Sequence, residues 1–412
     1  MINNNNAVVT AIRVKPHPNA DRLQLGEVME FTVAVGLDVK DGDLGIFFNE
    51  GLALSPEFLE KNDLVRRKLP DGSPAGGMFE PNGRVRCQTF RGEKSEGFWC
   101  PISFLNYTGK RLSEGDSFTK LGDHEVCKKY VRPHQHVPGK PGKKVARGET
   151  VMFKKHFDTA QMRMNYGQVR KGDVVVVSAK LHGSSARVGH VKEELKLKWW
   201  ERLIRRPNTK WTYLIGSRNV IVSDSMGEIK DGFYSSDLRL KAAQPFLFRL
   251  RKGETVFYEI VGFDGDSPIM PGCSTEKLSK AERKIYGDKV EWTYGCKPGE
   301  FDIYVYRITL TDEDGHSHDM AWPDVVSRCG ALGIKPVPVL STFIFDGDTE
   351  RLRRYVEEVT EGPDLINSAQ PREGVCVRVD HNPLKVFKNK SFTFKVLEGI
   401  ISDCVIDPED IS

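Results

Sequence analysis

Four consecutive valines, Val174 to Val177, lead through Ser178 and Ala179 to Lys180. A β-branched run of this kind favours a strand, and one without alternation is covered on both faces. The chain therefore has to build layers around this segment, with Lys180 delivered to the end of a buried strand. Further strand candidates are Glu254–Val261, Asp302–Leu310, Val375–Val379 and Phe392–Leu397, while Asp324–Leu332 and Thr349–Val359 carry helical periodicity. Residues 151–412 thus read as one α+β domain. Val191–Trp211 reads as an amphipathic basic helix and loop, with Leu195, Trp199 and Leu203 four residues apart and Arg202, Arg205 and Arg206 nearby. A stripe packed on the core is the favoured role of its apolar side, and an RNA-facing helix is the alternative.

The chain before this domain has a different texture. Ala7–Val14, Leu23–Glu30, Phe31–Val35, Asp43–Phe48, Val85–Phe90 and Gly97–Ile102 are short β-rich runs separated by proline, glycine and aspartate turns. Such a series predicts a small β-barrel over residues 1–120. Between 121 and 150, Lys128, Lys129, Arg132, Lys140, Lys143, Lys144 and Arg147 alternate with prolines and glycines. That pattern predicts a basic linker, a solvated tether before an RNA-contacting strap.

Composition excludes several classes. With 39% hydrophobic and 29% charged residues the chain is globular rather than disordered. No apolar run approaches the ~18–20 residues of a membrane helix, and Met1–Asn6 lacks the layout of a signal peptide. The eight cysteines form no CxxC pair. This argues against a zinc site or a disulfide framework and suits a reducing cytoplasm, including that of an infected host. A net charge of +4 does not announce nucleic-acid binding, so local clusters must carry that argument.

The strongest local signal is Lys180-Leu181-His182-Gly183-Ser184-Ser185 after the valine strand. Lysine followed by a glycine turn is common and weak alone. Its value comes from an ordered series of downstream motifs: Ser217-Arg218-Asn219, Phe257-Tyr258-Glu259-Ile260, Phe301-Asp302-Ile303-Tyr304, Arg372-Glu373-Gly374-Val375, and Lys388-Asn389-Lys390. Taken singly, Glu259 and Glu373 read as surface strand carboxylates and Phe301 as core.

Jointly, this series resembles the covalent nucleotidyltransferases, the superfamily of RNA ligases, DNA ligases and mRNA capping enzymes, from about Val151 to Ile401. The resemblance implies that Lys180 attacks the α-phosphate of a nucleotide and carries the nucleotide covalently. A free lysine titrates near about 10.4, so burial and nearby cations are needed to free its amine. By the same resemblance Arg218 and Glu259 hold the ribose and orient the nucleotide, and Phe301 stacks on adenine. Glu373 is the metal-associated carboxylate, for Mg2+ or Mn2+. Lys388 and Lys390 neutralise the α-phosphate as pyrophosphate leaves, with Lys395 competing for that role. Ala179 and Tyr258 depart from the usual pattern.

Two N-terminal stretches narrow the choice. His17-Pro18-Asn19-Ala20-Asp21-Arg22 looks like the opening of OB-type tRNA-binding modules. Together with Gly83 to Pro101 and His156-Phe157-Asp158-Thr159, it resembles the fifth family of RNA ligases, which place an OB domain before the nucleotidyltransferase domain. Arg84, Arg86 and Arg91 near Phe90, Phe98 and Trp99 suit phosphate contacts and stacking, with barrel core as the plainer role for the aromatics. The residues after Lys390 are too few for the C-terminal OB domain of DNA ligases and capping enzymes. The resemblance implies ATP rather than NAD, a monomer, and RNA ends at a nicked duplex as substrate. A DNA nick ligase and a non-catalytic RNA- or tRNA-binding protein are the alternatives.

Overall fold

The structure, a computed structural model, describes residues 5–68, 74–130, 148–194, 209–224, 238–381 and 383–404. The chain divides into two compact units, one of Met1–Arg132 with Ala160–Gln168 and one of Pro133–Thr159 with Val169–Ser412. Both are built mainly from antiparallel sheets, with few helices.

In the larger unit the valine run behaves as its composition requires. Val175, Val176 and Val177 are buried in the strand Val174–Lys180, which lies between Val339–Ile344 and Gly374–Val379, antiparallel to both. Lys385–Lys390 pairs with the other edge of Gly374–Val379. A second sheet runs Ile221–Asp224, Thr209–Ser217, Ser184–Glu194, Glu254–Asp264, Phe301–Thr311, Ser317–Asp319. The chain passes from the first sheet to the second through Leu181-His182-Gly183. Lys180 therefore ends one sheet just as Ser184 begins the other. The helix Thr349–Thr360 packs on the Gly374–Val379 and Lys385–Lys390 strands.

Two local expectations are corrected. Phe392–Leu397 is not a strand but the start of the helix Phe392–Cys404. Its aromatic and β-branched residues read as β, yet Ser391 Oγ accepts the Phe394 N–H at 3.1 Å and opens a helix there. Phe394 and Leu397, three apart, are both fully buried. Second, the described ends of Val191–Trp211 are not helical: Val191 pairs with Thr212 and Lys192 with Trp211 in adjacent strands. Residues 195–208, which carry Leu195, Trp199 and Leu203, lie outside the described residues, as do 131–147 of the basic linker; its start is no tether, since Cys127–Lys129 pairs with Leu52–Leu54 and Val126 and Cys127 are core of the smaller unit.

The smaller unit shows the expected short strands. A four-stranded sheet runs Gly97–Pro101, Leu44–Asn49, Ala7–Ala11, Ser117–Phe118, and a three-stranded meander joins Arg13–Pro16, Leu23–Val28 and Phe31–Gly36. Phe31, Val33 and Val35 alternate inward and meet Val8, Phe47 and Trp99 of the other sheet in one core. No described helix is long and apolar enough to cross a membrane.

Candidate active site

Strand register brings the distant motifs together. Lys180 pairs with Gly374, Gly374 with Lys390, and Cys376 with Lys388. Side chains two apart on a strand share a face, so Lys388 and Lys390 point to the same side. Three neighbouring strands thus place Lys180, Glu373, Lys388 and Lys390 around one cleft of about 180 Å³. Lys180 Nζ lies 2.6 Å from Glu373 Oε1, and Lys390 Nζ lies 3.9 Å from the same oxygen. Gly374 has φ +149°, and a Cβ there would collide with the Asn389 carbonyl. Only glycine lets the Glu373 strand lie this close to the lysine strand.

The second sheet supplies the opposite wall. Gly183 packs on the Ile260 carbonyl, with Val261 Cγ1 2.9 Å from where a Cβ would stand. The lysine turn can therefore rest on the strand that carries Glu259. The His182 N–H donates to the Tyr294 hydroxyl at 2.6 Å, and its ring meets Trp292 and Phe394 edge-on, fixing the turn. Glu259 pairs with Ser185 across the strands, and Arg218 reaches the cleft from the end of Thr209–Ser217, 2.6 Å from Asp158.

Phe301, expected to stack on a base, pairs with Gly262 at the start of its strand and is not among the residues lining the cleft. Tyr306, on the same strand, does line it. Phe257 pairs with Arg307 and Tyr258 with Val305, so Tyr306 is the extra residue of a β-bulge. A bulge re-aims side chains, and here both Tyr306 and Arg307 enter the cleft. The Tyr306 hydroxyl lies 2.7 Å from Ser185 Oγ; burial and then the Glu259 carboxylate push its ionisation up, so it stays a neutral phenol. Lys395 is buried on the C-terminal helix and does not line the cleft.

Other cleft residues have no role assigned from sequence. Glu398 holds Lys390 Nζ at 2.8 and 2.9 Å. His156 is kept neutral by burial and by the guanidiniums of Arg307, Arg218, Arg187 and Arg378. Arg307 Nη1 lies 3.4 Å from its Nδ1. A guanidinium only donates, so the proton of His156 sits on Nε2. Arg307 is itself held by Asp319, and Arg378 by Asp380. Six cationic side chains line the cleft (Lys180, Arg218, Arg307, Arg378, Lys388, Lys390) against the carboxylates of Glu259, Glu373 and Glu398. The excess suits a polyanion.

Lys388 is pushed down to about 8, first by burial and then by Lys390, Lys180 and Arg218. At pH 7 it is charged in both the folded and the unfolded chain, and the fold bears the full penalty. The penalty fades as pH rises from about 8 through the ordinary lysine range near 10.4, where the unfolded chain also loses the charge. Lys388→Met should therefore raise Tm at pH 7, and the gain should shrink by pH 10. Thermal melts at the two pH values check this, and a lower Tm for the variant at pH 7 would contradict it.

Glu373 bears on metal binding. Its carboxylate is buried, and Oε2 has no hydrogen-bond partner among the described residues. A buried charged oxygen without a partner is costly. A hard divalent cation suits such an atom, so the residues present fit one.

The family model for RNA ligase matches residues 173–397. The chain belongs to the RNA ligase family. No curated protein matches it. Among solved structures, this RNA ligase chain is similar to Naegleria gruberi RNA ligase in several forms. A lysine-to-methionine variant with AMP and Mn aligns at TM-score 0.60 and 17% identity, over 95% of this chain and 98% of that one. A lysine-to-alanine variant with ATP and Mn gives 0.58 at 17%, over 95% and 98%. The form with PPi gives 0.58 at 17%, over 97% and 98%. At these identities the likeness is one of fold.

Proposed function

We propose that this protein is an ATP-dependent RNA ligase that joins a 3′-hydroxyl to a 5′-phosphate through a covalent lysyl-AMP on Lys180. The observation that carries the reading is the meeting of Lys180, Glu373, Lys388 and Lys390 on three adjacent strands in a cationic cleft. ATP and Mn in the Naegleria gruberi structures support the choice of nucleotide and of a divalent cation.

In the first step the Lys180 amine attacks the α-phosphorus. The N–P bond forms, the bond to the β-phosphate oxygen breaks, and pyrophosphate leaves. Lys180 must first shed a proton. Its contact with Glu373 favours the ammonium, while Lys388 and Lys390 oppose a third positive charge beside them. Lys388 and Lys390 also take up charge on the departing phosphates. A divalent cation held by Glu373 would add charge neutralisation at the α-phosphate. Arg218 and Glu259 hold the ribose. Tyr306 replaces Phe301 as the aromatic offered to the nucleotide. In the second step a 5′-phosphate oxygen of RNA attacks the AMP phosphorus and frees Lys180. In the third, the 3′-hydroxyl attacks the 5′-phosphorus and AMP leaves.

The smaller unit contributes none of these groups, and we assign it to holding RNA. Its short antiparallel strands and shared core support an OB-type barrel, joined through the basic stretch around 131–147 to the adenylyltransferase unit. A monomer acting at nicks in duplex RNA is the simplest arrangement of these parts.

Sealing assays with defined strands test the reading. Nicks with RNA on the 3′-hydroxyl side should be joined, whereas DNA on that side should not support joining, because the 2′-hydroxyl marks RNA there. The 5′-phosphate strand should tolerate DNA. Equal sealing of all-DNA nicks would favour a DNA ligase, and failure to form any lysyl-AMP would favour a non-catalytic RNA-binding protein.

A further inference from the structure

The smaller unit contains a second concave site that none of this chemistry uses. It is a cavity of about 130 Å³ whose wall carries Arg66, Arg84 and Arg86 with Phe79, Phe90 and Phe98. Glu80 also lines it, tied to Arg66 at 3.2 Å, so three guanidiniums and one carboxylate line the wall. Arg84 is laid over the Tyr130 ring at 4.6 Å. Phe98 meets Phe79 edge-on at 4.9 Å and stacks on Phe48 at 6.0 Å, so its ring is fixed.

Part of this wall is a single hairpin. Gln88–Phe90 and Glu93–Ser95 form a hairpin turning at Arg91-Gly92, with φ of +49° and +91°. Two positive φ values define a tight primed turn that twists with its strands, and an arginine in that region is strained. The turn is clamped from outside by the loop that begins at His17. The Asn19 N–H donates to His17 Nδ1 at 3.1 Å, which leaves the ring proton on Nε2, 3.1 Å from the Phe90 carbonyl. Asn19 Nδ2 donates to the Arg91 carbonyl at 3.0 Å. The His17 loop thus braces the hairpin whose Gln88, Phe90 and Ser95 line the cavity.

Arginines beside phenylalanine rings on one concave wall suit a phosphate with its attached nucleoside. Guanidiniums hold phosphate through forked hydrogen bonds, and exposed ring faces take a sugar or base without reading sequence. We propose that this cavity binds one backbone phosphate of a single RNA strand, with the attached nucleoside against Phe90. The inference rests on the assignment of the smaller unit to RNA and adds the place of contact.

The test uses full-length protein and a single-stranded RNA oligonucleotide. Arg66→Gln/Arg86→Gln should bind it roughly tenfold more weakly, since charged hydrogen bonds are lost. Each lost phosphate contact should also lower the slope of log affinity against log salt by about 0.7. Lysyl-AMP formation from ATP serves as the check of folding. Should the double variant fail that check, Arg86→Lys alone carries the test: it keeps the charge but loses the fork, and should still weaken binding. Wild-type affinity and slope in a folded variant would overturn the cavity. Photo-crosslinking of 4-thiouridine RNA to the wild-type chain separates the two claims. Crosslinks within residues 1–130, with the variant unaffected, reject the cavity and leave the smaller unit's role standing. Crosslinks confined to residues after 173 reject both.

Discussion

Lys180→Ala should gain no AMP when incubated with ATP and a divalent cation, while the wild-type chain gains one. Intact mass measures the adduct directly, and a nucleotide-bearing peptide ending the valine strand locates it. The effect should be complete, because no other amine shares Lys180's position. Lys388 and Lys390 also line the cleft, but Lys390 is held by Glu398 and both stand on the strand beyond Gly374–Val379, two away from that of Lys180. The substitution should leave the fold intact, since Lys180 ends its strand at the cleft and is not part of the core. A wild-type level of adduct on the alanine variant would move the nucleophile elsewhere.

Glu373→Gln should cut lysyl-AMP formation by at least about 10²–10³-fold, the size expected when a group facing developing charge is neutralised. Glutamine keeps the shape and one oxygen, so circular dichroism should not change. Two consequences separate this loss from a merely structural one. The dependence on Mg2+ or Mn2+ concentration should shift to higher values, because a neutral amide oxygen is a poorer ligand for a hard cation. Lys180 also loses its partner at 2.6 Å, so its modification by amine-directed reagents should begin at lower pH in the variant. Adduct formation near wild type at ordinary metal concentrations would remove Glu373 from the chemistry. Lys390→Ala belongs to the same class, and its activity near wild type would show that phosphate charge is met elsewhere.

Most of the cleft was legible because β-structure has period two. The valine run marks the strand that ends at Lys180, and Glu259 and Glu373 stand on or beside strands that the sequence marks, whereas Thr209–Ser217 and Lys385–Lys390, which bring Arg218, Lys388 and Lys390 to the cleft, are visible in the sequence only through those motifs. What was missed has specific causes. Phe301, Tyr304 and Tyr306 are indistinguishable aromatics on one strand, and a bulge that no pattern of polarity reports decides which enters the cleft. Phe392–Leu397 has strand-like residues, but a serine cap and tertiary packing override that preference. Glu398 was invisible because its partner Lys390 meets it only once that segment becomes a helix. His156 stands out in sequence only through its neighbours, whereas its neutrality arises from burial and then from arginines brought from four other segments.

The alternation along Lys385–Lys390 carries a consequence for how this gene can vary. Phe387 and Asn389 are buried, while Lys388 and Lys390 face the cleft. Loss or gain of a single codon in the short turn after Asp380, with pairing to Gly374–Val379 kept, would rotate the whole set. Both cations would then enter the core and a phenylalanine would face the nucleotide. A change of two codons would preserve the facing and move the lysines by one step along the strand. Where length variation in that turn shifts this register instead of being taken up by the loop, it should therefore come in even steps, an imprint of strand geometry on the reading frame rather than on any single residue.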